Sequence, residues 1–355
     1  MSFSRQLCAW YRAHARDLPW RRTKDPYKIW ISEIMLQQTT VNAVIPYYQR
    51  WTKVFPTVAA ASHAPLQRIL RLWQGLGYYQ RAKNIHKAAK MICTEYDGVL
   101  PQRAEEISKL PGFGSYTTGA VLSIAFGIRH PIIDANVRRV VMRLLATEGH
   151  AVPRHDPAIL KFLEQVMPHK DIGTFNQALM ELGALVCRNR EPLCLLCPVR
   201  VHCQAYREGK QEVIPESKAR VVKDIDVAVG ILKKNGRYFI QRRPSKGLLA
   251  DLWEFPGGKI EENEAPAPAL AREFKEELGV EVDSINPFMH ARHTYTQFRV
   301  RLHVFFCKSK SSIREDATHK WVRLPELLKY PMPSGSAKIV ERLLGSNEGD
   351  GLKST

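Results

Sequence analysis

The stretch 110–137, LPGFGSYTTGAVLSIAFGIRHPIIDANV, constrains the chain more tightly than any other. Pro111-Gly112-Phe113-Gly114 breaks a short helix-compatible run at 105–109, and Ser115 is placed to cap an apolar helix through Ala120, Val121, Ile124 and Ala125. The pattern predicts helix, glycine turn, helix, loop and a further helix start. Gly112 and Gly114 at a helix N-terminus allow backbone N–H groups to approach a phosphate, where the helix dipole adds positive potential. Asp134 stands just before a segment that alternates apolar and basic residues at helical spacing. An Asp in this place is ordinarily the cap of its helix. One oxygen can cap while the other faces a site, so a carboxylate held near a developing cation is compatible with that role.

At 355 residues the chain exceeds one ordinary core and predicts two or three modules. Its net charge of +18 favours a polyanionic partner, and the charge is uneven: 31 Lys+Arg against 17 Asp+Glu in residues 1–220, 22 against 18 in 221–355. The first part is therefore the expected nucleic-acid binder. Its basic residues are interspersed with apolar periodicity, unlike the like-charge blocks of ribosomal or chromatin tails. Residues 1–20 lack the apolar segment of a secretory signal, and no apolar run is long enough to cross a bilayer, so a soluble, cytoplasmic protein with no membrane partner is expected. Seven cysteines, four of them clustered, argue for metal ligation in a reducing compartment.

Read in order, residues 4–20 form an amphipathic opening helix. In 30–39 (WISEIMLQQT), Glu33 lies among Trp30, Ile34 and Met35. A helical Glu is usually solvated, but one buried against a bound base would have its pKa raised and stay protonated as a general acid. Residues 73–82 make a second glycine turn, with Leu76 and Tyr78, whose plain reading is core packing. Arg81, Lys83, Lys87 and Lys90 share roughly one helical face. The helix 176–187 delivers Cys187 to the array Cys187-x6-Cys194-x2-Cys197-x5-Cys203, four soft ligands suited to zinc or an iron–sulfur cluster. Arg188, Arg190, Arg200 and Arg207 surround this array.

A polar linker is expected at 213–224, strands at 225–232, 238–242 and 299–306, and a disordered tail at 346–355. Between Gly258 and Val280 the spacing G-x5-E-x7-R-E-U-x-E-E-x-G-U is complete, with U a bulky apolar residue. On a helix it sets Glu273, Glu276 and Glu277 at i, i+3 and i+4, where they can hold Mg2+ against a diphosphate.

Together the segment LPGFGSYT, Asp134, WISEIMLQQT and the cysteine array resemble the helix-hairpin-helix DNA glycosylases, and within them the MutY-type adenine DNA glycosylases, over residues 18–203. Residues 258–280 resemble the Nudix box of MutT-type pyrophosphohydrolases. The resemblance implies an all-α helix-hairpin-helix glycosylase domain at 1–212 with a [4Fe–4S] loop at 187–203, then an α+β Nudix-like domain at 225–345. It further implies that Glu33 matches the position that protonates adenine N7, that Asp134 would stabilise the oxocarbenium ion or its adduct, and that Tyr116 and Asn136 would position the groups around the sugar. Relatives that also cleave the strand carry a lysine where this chain has Tyr116, and a tyrosine forms no Schiff base, which implies a monofunctional hydrolase.

Gln38, with Thr39 beside it, matches the side chain that fills the gap left by the extruded base. Tyr78, with Leu76 close by, matches a side chain stacked by the lesion. The implied substrate is double-stranded DNA with adenine opposite 8-oxoguanine or guanine, and a monomer is expected to act on it. Two departures concern lesion recognition: Tyr295-Thr296-Gln297 stands where the family has Phe-Ser-His, and Asp251 where it has Gly, a charge that could face phosphate. The family's Nudix domain usually has a degraded box, whereas here the box is complete. Alternatives are therefore a bifunctional chain whose second domain hydrolyses oxidised nucleoside triphosphates, and a non-catalytic lesion-binding protein.

Overall fold

The computed structural model describes residues 2–217, 222–295 and 298–350, with only the backbone of 294, 295 and 347–350. The chain divides into two compact units, Met1–Ala64 with Lys83–Ala219, and Pro65–Ala82 with Arg220–Thr355. The segment Pro65–Ala82 thus groups with the second unit, where the sequence had put it in the first.

Helices α1 (Phe3–His14), α2 (Pro26–Leu36), α3 (Val41–Val54) and α4 (Val58–His63) open the first unit, and α5 (Leu66–Trp73) follows in the second. Helices α6 (Gln80–Glu95), α7 (Ala104–Ile107), α8 (Ser115–Ile124), α9 (Ala135–Leu144), α10 (Asp156–Val166), α11 (Ile172–Leu185) and α12 (Gln204–Arg207) come next in order. The expected opening helix ends early, at His14, and residues 19–21 form a separate 3-10 turn.

Helix α2 starts where Asp25 accepts from the Tyr27 amide at 2.9 Å and Pro26 occupies the first turn. Nearly every α2 side chain is buried, Trp30 and Ile31 completely. A helix apolar all round belongs inside a bundle, and it carries Glu33 in with it. Helices α1, α9, α10 and α11 share one core through Leu7, Val141, Leu163, Phe175 and Leu182, against which Cys187, Cys197 and Cys203 pack.

In the second unit, β1 (Lys223–Lys234) turns at Asn235-Gly236 into β2 (Arg237–Arg242), both turn residues having positive φ. Strands β3 (Trp253–Glu254) and β4 (Gly257–Lys259) precede helix α13 (Pro266–Leu278), and β5 (Val282–Tyr295), β6 (Phe298–Ser309), β7 (His319–Arg323) and helix α14 (Ser334–Asp350) follow it. The path runs β3-β2-β1-β6-β5, with β4 on β1 and β7 on β2; β1 and β6 are parallel. Alternation along β1 sends Ala228 and Leu232 to α13 (Leu270, Phe274) and Val229 and Ile231 to α14 (Ile339, Leu343). Helix α14 runs through Asp350, into the stretch expected to be disordered; 351–355 lie outside the described residues.

Candidate active site

The glycine turn does what the sequence asks of it, with one correction. Gly112 has φ +88, and a Cβ there would stand 3.0 Å from that of Asn84, so both backbone and space call for glycine. Gly114, not Ser115, is the N-cap of α8; Ser115 is its first residue and forms no side-chain cap. Gly114 keeps an ordinary negative φ, and the place its Cβ would take is open. Phe113 of this turn stacks on Trp30, 5.2 Å between centroids, and so ties it to α2.

In the first turn of α8, the Tyr116 hydroxyl donates to Glu33 Oε2 at 2.6 Å and lies 3.4 Å from Met180 Sδ of α11. Glu33 is only 5% exposed. Burial pushes its carboxyl up to about 7; the hydrogen bond from Tyr116 works against this, the charge of Asp134 adds to it, and Arg21 opposes it. Tyr116, buried beside Glu33, is pushed well above the ordinary phenol value, so it stays a donor.

Asp134 caps α9, accepting from the Val137 amide at 2.6 Å, while its other oxygen accepts from Asn136 Nδ2 at 2.9 Å. Asp134 is thus the cap of its helix, as expected. Asn136 Oδ1 accepts from Arg139, whose guanidinium also reaches the carbonyls of Gly183 and Cys187 at 2.8 and 2.9 Å. A Cβ on Gly183 would stand 2.6 Å from that of Asn136, so α11 can press against the first turn of α9 only because it has glycine there.

Arg139 leads on to the cysteine array. Arg143, 2% exposed, donates to Cys187 Sγ at 3.3 Å and to the carbonyls of Arg188 and Ile214, both at 2.6 Å. Burial raises the thiols of Cys194, Cys197 and Cys203, and each is raised further by charge on the others or on Cys187. Among the described residues no three His, Cys, Asp or Glu side chains are assembled as a metal site. The donor set nonetheless fits an anionic iron–sulfur group. Four thiols lie within electrostatic reach of one another, and a buried guanidinium bonded to sulfur favours negative charge there.

Gln38 is exposed with φ +54, an uncommon conformation for glutamine, and Thr39 is half-buried. Tyr78, with φ +46, is half-buried, while Leu76 is buried. Lys83 is also buried, so the basic face expected on α6 keeps Lys87 and Lys90 in solvent. The side chain of Tyr295, and all of Thr296 and Gln297, lie outside the described residues. Asp251 does not face phosphate: it is 7% exposed, adopts φ +67 and pairs with Arg242 at 2.9 Å. Its left-handed backbone suits the glycine found there in the resembled family.

In the second unit, Glu273 and Glu277 line a cavity of about 710 Å3 with Glu254, Lys259, Arg243 and Phe255. Glu276 does not line it; the Glu276 carboxylate pairs with Arg272 at 3.1 Å, as does that of Glu273. Sequence reasoning missed Arg139, Arg143 and the buried Glu181. The first two stood only as basic residues alternating with apolar ones after Asp134, whereas a single acid in the apolar run 176–187 was a visible signal.

Residues 31–166 match the HhH-GPD superfamily base excision DNA repair proteins, and residues 227–342 the NUDIX domain. The adenine DNA glycosylase of Buchnera aphidicola subsp. Acyrthosiphon pisum is 31% identical over 96% of this chain and 97% of its own. That of subsp. Baizongia pistaciae is 38% identical over 72% and 73%. Among solved structures, a thermostable thymine-DNA glycosylase is similar at 29% identity, covering 58% of this chain and 95% of its own, with a TM-score of 0.54. No described helix is long and apolar enough to cross a membrane. With a helix-hairpin-helix glycosylase fold followed by a Nudix domain, and relatives along nearly its whole length, the chain belongs to the MutY-type adenine DNA glycosylases, hydrolases of base excision repair.

Proposed function

We propose that the chain is a monofunctional glycosylase that flips adenine out of a mispair with 8-oxoguanine or guanine and hydrolyses its N-glycosidic bond. The observation that carries this reading is the buried Glu33, bonded to Tyr116 at 2.6 Å, with a pKa near 7 and Asp134 close enough to contribute to it. A carboxyl of that acidity keeps its proton near neutrality and can pass it to N7 of the leaving base. Asp134, held by the Val137 amide and Asn136, offers a negative charge to the oxocarbenium ion that forms as the bond breaks. Tyr116 supplies no amine, so no covalent imine to the sugar forms.

Gln38 would fill the gap in the stack, and Gly112 and Gly114 would receive a backbone phosphate. Thr39, Leu76 and Tyr78 are further candidate DNA contacts. Tyr295 and Thr296 are candidates for recognising the base opposite adenine. Residues 1–212 and 225–345 would be the two domains, joined by 213–224, in a monomer of the cytoplasm. Cys187, Cys194, Cys197 and Cys203 would hold a [4Fe–4S] cluster, which when bound cross-links the loop 187–203. Arg143 would hold the loop by its sulfur and carbonyl contacts. Iron in the purified chain, lost in Cys197→Ala, tests the cluster.

A single-turnover assay on end-labelled duplexes with A·8-oxoG, A·G and A·T pairs tests the main reading. It expects strand breaks at the two mispairs only after alkali treatment. Breaks without alkali would refute the monofunctional mechanism, and no product would favour a lesion-binding protein.

A second reading rests on the complete box and on Glu273 and Glu277 facing one cavity with Lys259 and Arg243. In it, Glu273, Glu276 and Glu277 would hold Mg2+, and the unit would hydrolyse an oxidised nucleoside triphosphate. Mg2+-dependent pyrophosphate or phosphate release by the full chain, lost in Glu273→Gln, would support it; no release would dismiss it.

A further inference from the structure

The turn that carries Leu76 and Tyr78 is built into the second unit. Gln67 of α5 donates to the Asp251 carbonyl and accepts from Trp253 Nε1, both at 3.2 Å. Gln74 Oε1 accepts from the Met332 amide at 3.1 Å, and the hydroxyl of the buried Tyr79 donates to the Met332 carbonyl at 3.2 Å. Between these anchors Gly75, Gly77 and Tyr78 all have positive φ. Arg81 clamps the turn as well: it donates to the carbonyls of Leu76 and Gly77 at 2.9 and 3.2 Å, and its guanidinium lies 5.5 Å from the centre of the Tyr78 ring.

Residues 75–79 are also a wall of the 710 Å3 cavity. The rest of its lining is of two kinds. Ile225, Val227, Phe298 and Val300 supply an apolar sheet face, and Lys259, Glu273 and Glu277 supply charge. A nucleotide asks for that combination: carbon and aromatic surface for a flat base, and a cation for phosphates that arrive with Mg2+ for carboxylates to share.

We propose that the cavity takes a nucleoside di- or triphosphate with Mg2+, and that its occupancy and the binding of duplex DNA exclude one another because each needs Leu76 and Tyr78. This rests on the reading of the second unit as a nucleotide site and adds a regulatory consequence to it, that free nucleotide lowers the chain's affinity for DNA. One ring cannot stack on a base in the cavity and on a base of the duplex at once. A turn bonded through Gln74, Tyr79 and Arg81 has little slack with which to serve both. The exclusion is reciprocal, so DNA weakens nucleotide binding by the same factor.

The test measures both bindings on the full-length chain. The nucleotide is the α,β-methylene analogue of 8-oxo-dGTP with Mg2+, which resists hydrolysis, and the DNA is a labelled A·8-oxoG duplex made uncleavable by 2′-fluoro substitution at the adenosine. Equilibrium dialysis without DNA should show the nucleotide bound. By fluorescence anisotropy, saturating nucleotide should raise the duplex Kd by at least about 10-fold, whereas inorganic tripolyphosphate at the same concentration should not. Val300→Phe, which fills the apolar wall, should keep the parent's duplex Kd and remove the nucleotide's effect. An equal effect of tripolyphosphate would mean simple competition between polyanions and overturn the proposal, as would an undiminished nucleotide effect in folded Val300→Phe. The two levels of argument separate cleanly. If no nucleotide binds, the nucleotide-site reading falls and the exclusion with it; if nucleotide binds and the duplex Kd does not change, only the exclusion falls.

Discussion

Glu33 puts a titratable carboxyl where folding alone would not want one. Its pKa in the folded chain, about 7, lies above the ordinary 4.5, so between those values the folded state holds a proton that the unfolded state has released. The contribution is therefore fully favourable below about pH 4.5 and is lost as pH rises through 7, a penalty of up to about 3 kcal/mol. Glu33→Gln, whose amide oxygen can still accept from Tyr116, should abolish excision yet raise denaturant stability at pH 8 and leave it nearly unchanged at pH 4.5. Urea unfolding at both pH values checks this; a variant less stable than the parent at pH 8 would contradict the burial argument.

Legibility at this scale depended on range. Asp134 was readable because its signal is local, an Asp before a periodic helix, and its cap bond to Val137 is three residues away. Glu33 was not decided by its own segment, since burial depends on α8 arriving 83 residues later. Glu181 and the arginines bonded to it, Arg21 and Arg16, lie 160 and 165 residues apart and leave no joint trace in sequence.

Among elements, the decisive contact is α11 against the first turn of α9. Gly183 makes it possible, and Arg139 bolts it by reaching both Asn136 and the Gly183 carbonyl. Gly183→Ala forces a Cβ into Asn136, which should cost about 1–3 kcal/mol and displace the Asp134 carboxylate. Excision should fall by at least about 10-fold, beyond what the lost stability explains, because misplacement of a charged group by a fraction of an ångström already weakens its effect. Parent-like single-turnover rates in that variant would show that the contact does not position the carboxylate.

The elements the sequence misjudged have physical reasons as well. Strand β5 escaped because two register shifts, between Asp283 and Asn286 and between Pro287 and Met289, break its alternation. β1 and β6 were found because each is a long run of strand-forming residues. The cap of α8 was misassigned because Gly114 and Ser115 both suit an N-terminus, and the helix begins one residue earlier than a Ser115 cap would set it.

At the scale of the molecule, the net charge of +18 and its concentration in residues 1–220 match the family's work on DNA. Binding to a short duplex should weaken linearly on a logarithmic scale as salt rises. If about six phosphates are neutralised, the loss between 50 and 200 mM is on the order of 10³-fold. Fluorescence anisotropy across that range measures it, and a flat response would mean that charge does not drive association. The partition into a helical unit and a sheet unit was legible from the change in pattern near residue 213. The grouping of Pro65–Ala82 with the second unit was not, because it depends on tertiary bonds such as those joining Gln67 to Asp251 and Trp253.

The central claim is that a protonated Glu33 and an ionised Asp134 act together on one extruded nucleoside. Asp134→Asn tests it most directly, since asparagine can still accept from the Val137 amide and keep the cap while removing the charge. Single-turnover adenine release from an A·8-oxoG duplex should drop by about 10³-fold with the melting temperature little changed. Release within a few-fold of the parent, at equal stability, would contradict the account.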